Sequence, residues 1–151
     1  MYLWGNLDIM IDPKELRLGN LVKTNKGILI QANGIRHDWE AMDYIIIDKN
    51  DIGYSIDELS PIHITPEWLE RLGFETVANY YDLDFNGGGL RFLSDLDECR
   101  LFTGSEYSLT VAMDYDTCEI PNAPKYIHQL QNLYHALTGQ ELTVKDLTPT
   151  L

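Results

Sequence analysis

Asn20-Leu21-Val22-Lys23-Thr24-Asn25-Lys26-Gly27-Ile28-Leu29-Ile30-Gln31-Ala32 is the stretch on which the fold class turns. Two short apolar runs flank Asn25-Lys26-Gly27, where glycine accepts the positive φ of a tight turn, so the stretch predicts a β-hairpin. A third strand is expected over 42–48. Its centre, Tyr44-Ile45-Ile46-Ile47, lacks alternation, which predicts cover on both faces, and Asp48-Lys49-Asn50-Asp51 beyond it is turn chemistry. The extended stretch Tyr54-Ser55-Ile56-Asp57-Glu58-Leu59 follows, and this first zone reads as a small curled sheet or SH3-like barrel.

A short helix punctuates the middle of the chain. Thr65 is suited to the N-cap, Pro66 to the first helical position and Glu67 to the positive end of the dipole, while Gly73 suits the position just past the end. Trp68, Leu69 and Leu72 then share the packing face. A second strand-rich zone is expected over 74–113, with Asn86-Gly87-Gly88-Gly89 as the loop of a hairpin. The glycines lack a Walker lysine and a following helix, which argues against a phosphate cradle. Within this zone 108–113 alternates as a strand, with Leu109, Val111 and Met113 inward. Pro124 is placed to open a final helix over 125–137, closed by Thr138-Gly139. Tyr126, Ile127, Leu130, Leu133, Tyr134 and Leu137 fall within an arc of about 120° and form the expected buried stripe. His128, Asn132 and His135 lie opposite, as solvated polar surface. The fold class is therefore α+β: mostly antiparallel strands, a short central helix and a C-terminal amphipathic helix.

The chain of 151 residues has a globular composition, 44% hydrophobic and 11% aromatic, with no repeat or long linker to divide it. Its 11 Lys plus Arg against 24 Asp plus Glu give −13, a charge that repels phosphate backbones and anionic lipid. General nucleic-acid binding and membrane association are excluded on that ground. A small anion is not, because a pocket needs only a few placed cations. Cys99 and Cys118 are too few to staple the domain and read as reduced thiols, with a disulfide open to them if their segments pair as strands. The opening residues have no basic n-region and no apolar run of signal length, so the cytoplasm is the expected location.

Catalytic and metal motifs are missing from the local sequence. His128 and His135 stand seven residues apart, roughly 10.5 Å along a helix, too far to share a zinc, and His37 and His63 have no partner at ligand spacing. Acid clusters such as Asp82 with Asp84, Asp95 with Asp97 and Glu98, and Asp114 with Asp116 and Glu119 lack the EF-hand glycine and terminal glutamate. There is no Gly-x-Ser-x-Gly elbow. No metal and no cofactor is expected, and the enzyme reading has little to stand on.

Three blocks carry a resemblance: Glu15-Leu16-Arg17-Leu18-Gly19-Asn20-Leu21-Val22, then 61–74 (PIHITPEWLERLGF), then 126–142 (YIHQLQNLYHALTGQEL). In order and spacing they resemble a family of short proteins of Bacteroidota genomes and of their phages and prophages, a family without an established activity. The likeness spans Glu15 to Leu142, and the final block is its most specific part. It implies a usual start near Met10, leaving 1–9 as an extension before a single domain over 10–151. It also implies a phage or mobile-element setting. Small acidic proteins of that setting are often interaction proteins, either inhibitors of a host enzyme or sponges that sequester a nucleotide signal of bacterial defence; the second is the expectation here, with a homo-oligomer to build the pocket. Arg17, Asn20, His128 and Asn132 belong to the shared blocks and are candidate ligand contacts, and Arg36, Trp39 and Arg91 are further cation and aromatic candidates. The alternatives are an acidic inhibitor of a host protein, with its charge mimicking nucleic acid, and a hydrolase of the same nucleotide class.

Overall fold

In the structure, a computed structural model that describes residues 10–103 and 117–145, the predicted hairpin forms from β1 (Leu21–Thr24) and β2 (Leu29–Gln31). Gly27 takes φ +82° in its turn, a backbone state that L side chains avoid. β1 also pairs with β6 (Leu59–Ser60), giving a three-stranded antiparallel sheet in the order β2-β1-β6. A strand not anticipated from the sequence, β3 (Gly34–Asp38), pairs with β4 (Asp43–Ile47), which pairs with β5 (Gly53–Ser55) in a second three-stranded sheet. Ile11, Leu16, Val22, Ile30, Ala32, Ile46 and Leu59 form the core beneath these strands.

The expected two-sided cover of β4 is not found. Only Ile46 is fully buried, packed with Ile35 and Tyr54, while Tyr44, Ile45 and Ile47 are half-buried. The register explains the unalternating sequence. Ile47 lies opposite Gly34 and Ile45 beside Gly53, so the outer isoleucines spread over glycines whose added Cβ atoms would meet them at 3.3 and 3.0 Å. After β4, Asp48 Oδ1 accepts from Asn50 N and Ile52 N, the turn that the Asp-rich stretch predicts.

The chain groups into two compact units, residues up to His63 with Lys125–Ala136, and Ile64–Pro124 with residues from Leu137 on. In the second unit α1 (Pro66–Arg71) has the expected ends. Thr65 Oγ1 accepts from Trp68 N at 3.2 Å, and Gly73 at φ +100° donates to Glu70 O while Phe74 N donates to Leu69 O, a Schellman closure. Leu69 and Leu72 are buried, and Trp68 is half-buried under the Arg71 guanidinium. A five-stranded antiparallel sheet follows: β7 (Glu75–Val77), β8 (Tyr80–Phe85), β9 (Gly88–Leu93), β10 (Cys99–Thr103) and β11 (Thr117–Glu119), in the order β11-β10-β9-β8-β7. The strand expected over 108–113 lies outside the described residues. Leu90, Phe92 and Cys99 fill the buried face of this sheet, and Cys99 is a free thiol whose pKa burial pushes up to about 12.

The final helix, α2 (Ile127–Thr138), begins two residues later than its sequence suggests. Tyr126 is held extended by a bridge to His63, and Ile127 N donates to Ile62 O at 2.8 Å. Gln129 Oε1 then accepts from both Lys125 N and Tyr126 N, supplying the cap. Its buried face is also turned from the expected stripe. Ile127, His128, Leu130 and Gln131 are buried, whereas Leu137 is exposed. Among the described residues no helix is long and apolar enough to cross a membrane.

Candidate functional site

Of the candidate contacts, Arg17, Asn20 and Asn132 come together against one another, and His128 meets Glu15 of the same turn. The chain turns into β1 through residues 16–20, where Asn20 Oδ1 accepts from Arg17 N at 2.7 Å, and Asn20 itself is fully buried. Its Nδ2 donates to Asn132 Oδ1 at 3.0 Å and to Gln131 Oε1 at 3.4 Å. Arg17 Nε donates to the same Asn132 oxygen, and Asn132 Nδ2 donates to Glu15 O at 2.6 Å. Gln131 Oε1 accepts from Leu21 N at 2.9 Å, satisfying the first amide of β1.

His128 corrects the solvated-face expectation most directly. Its ring is 1% exposed, and Nε2 lies 2.9 Å from Glu15 Oε1. The reason is that the turn before β1 carries buried polar groups, and only a polar face of the helix can meet them. Such a dyad resembles an acid–base pair, yet Nε2 is directed to Glu15 and Nδ1 is enclosed without a hydrogen-bond partner, so neither nitrogen faces a space for substrate. The arrangement fastens the helix to the turn. It does not present these four side chains as an open anion pocket.

Arg91 belongs to the second unit and is also engaged. Nε and Nη2 donate to the two oxygens of Asp82 at 2.8 and 2.9 Å, and the guanidinium stacks 4.0 Å from the Tyr80 centroid and 5.2 Å from that of Phe102. The Asp82 hydrogen bonds raise Arg91 further above its ordinary value. The strand register sets Glu75, Asp82, Arg91, Arg100 and Glu119 across one face, a row of charges in which two arginines stand among three carboxylates. Asp84, two residues along β8, has its pKa raised by burial and by the carboxylates of Asp82 and Glu75.

Arg36 and Trp39 are differently placed. β3 and β4 are joined by 39–42, at whose base Asp38 Oδ1 accepts from Glu40 N at 3.0 Å and Ala41 N at 3.2 Å, an Asx turn that fixes the loop. His37 packs edge-on against Trp39 at 4.2 Å and against Tyr44 at 4.7 Å. The indole nevertheless remains 77% exposed, and Met42 is 74% exposed at φ +55°. Arg36 is exposed on β3, opposite Ile45. Strand alternation therefore puts Arg36 on the face away from the His37–Tyr44 pair.

Glu15 and Gln131 complete the fastening, and Met42 and His37 complete the hairpin tip, none of which the sequence reading nominated. Gln131 has no signal in the helical pattern and Glu15 none in its own turn, because each role depends on a partner more than a hundred residues away. The tip has one: Asp38 followed by two chain amides and closed by Asp43 is turn chemistry, and a tryptophan and a methionine inside a polar turn are out of place. No protein-family model matches the chain, and neither curated proteins nor solved structures give a match.

Proposed function

We propose that this chain is a non-enzymatic binding protein that engages its target through the tip of the β3–β4 hairpin. The observation that carries the reading is the 77% exposure of Trp39 on a turn whose backbone is internally fixed. An exposed tryptophan beside an exposed methionine is costly to leave in water and is the side-chain chemistry that dominates binding energies. A fixed turn lowers the ordering cost of association. The enclosed His128 and the buried Cys99 thiol support binding over chemistry.

Nucleotide sequestration, expected from the setting and the size of the chain, is one form of this proposal, with a base stacked on Trp39. Blocking of a host protein is the other. Either fits a cytoplasmic accessory protein of a phage or mobile element, and a homo-oligomer would present several tips at once. A photo-crosslinking residue at Glu40, tested in the native host against the same residue at Lys49 in the next turn, checks the proposal. Adducts of any mass that form at 40 and not at 49 are the expected result. Equal yields at the two positions would remove the tip as the contact element.

A further inference from the structure

We infer that the target of the hairpin tip is a protein surface with an apolar pocket rimmed by lysine and arginine. This rests on the tip being the contact element and adds the chemistry of what it meets. Three observations carry it.

The first is the backbone at Met42. A residue at φ +55° is placed at low cost by glycine or asparagine, so a turn that needed only to reverse the chain has no use for methionine there. Met42 thus holds an exposed thioether side chain where glycine would turn the chain as well, and that side chain is available for contact. The second is rigidity. Asp38 holds the amides of Glu40 and Ala41, and the edge-on contacts of His37 with Trp39 and Tyr44 fix the indole, so two apolar anchors stand on a prearranged base.

Charge decides the partner. Beside the anchors stands the exposed Glu40, while the register sets Asp38 and Asp43 on the face of Arg36, in a chain of net charge −13. A nucleotide stacked on Trp39 would bring its phosphates beside Glu40 and into the field of that net charge. Arg36, on the other face of β3 with Asp38 and Asp43, is poorly placed to offset that field. A basic rim around an apolar pocket meets the same features favourably: the indole and the thioether enter the pocket, and the carboxylates face cations at the edge.

The test starts from the Glu40 crosslink in the native host. The adduct is expected to be a protein, and its crosslinked peptide to lie beside lysine or arginine residues. With that protein purified, Trp39→Ala and Met42→Gly should each weaken binding, the former by about thirtyfold. Glu40→Lys and about 0.5 M salt should also weaken it, as rim charge requires. Both tip variants replace exposed side chains, and circular dichroism checks that they remain folded. A nucleotide adduct, or a protein whose affinity ignores Glu40→Lys and salt, would overturn the partner class and leave the tip as the contact element. No adduct specific to the tip would overturn both.

Discussion

Cys99 is a thiol enclosed by the sheet of the second unit and has no route to a reagent in the folded state. Burial favours the neutral thiol and pushes its pKa up to about 12. An unfolded chain ionises this group near its ordinary value of 9.0, so between there and about 12 the native state binds the extra proton. Stability is therefore intact below the lower value and declines as pH rises, by up to about 1.4 kcal/mol per pH unit. Tyr54, raised by burial and by the Asp48 carboxylate, acts in the same direction from above 10.0. Urea denaturation between pH 8 and about 11 should show the decline, and Cys99→Ala should flatten it. A native protein whose Cys99 is alkylated by iodoacetamide as fast as the unfolded chain would contradict the enclosure. At this scale a role is legible in the sequence where it is local, as for Thr65, Gly73 and Asp48. His128 departs from the exposed position its spacing predicts because a polar side chain on a helix has two opposite fates, and the choice lies with Glu15.

α2 depends on side-chain hydrogen bonds more than its apolar spacing implies. Asn132 alone accepts from Arg17 Nε and Asn20 Nδ2 and donates to Glu15 O. Asn132→Ala would strip an acceptor from two part-buried donors and a donor from a carbonyl, with an expected loss of about 2–3 kcal/mol in urea denaturation. A loss under about 0.5 kcal/mol would mean that water replaces the amide without cost. Elements with local grammar were legible: α1 by its cap residues, the β1–β2 hairpin by Gly27, the β8–β9 hairpin by its glycines. β3 was not, since Gly34-Ile35-Arg36-His37-Asp38 has little β-propensity of its own and is held by pairing with β4. The start of α2 was missed for a similar reason, the bridge from Tyr126 to His63.

Across the whole chain, −13 is a standing repulsion among carboxylates that folding draws together. Screening should relieve it, so the Tm is expected to rise by a few degrees between low salt and about 0.5 M sodium chloride. A Tm that falls with salt would mean that pairs such as Arg91–Asp82 outweigh the repulsion. Composition made this legible in full. The grouping into two units was not, because it is written in contacts between distant positions, and no periodicity or turn signal records which distant segment a strand will meet.

One of those distant contacts bears on how the protein is made. The turn before β1 is completed by Gln131 and Asn132, across separations of 110 to 117 residues. On a ribosome the first unit thus waits, with Asn20 and the Leu21 amide unmet, until the last helix has left the exit tunnel. All of Ile64–Pro124 is translated in the interval. The order of synthesis runs through Ile64–Pro124 before the first unit can close, so a stall or premature stop within that segment leaves the N-terminal sheets without the helix that finishes them.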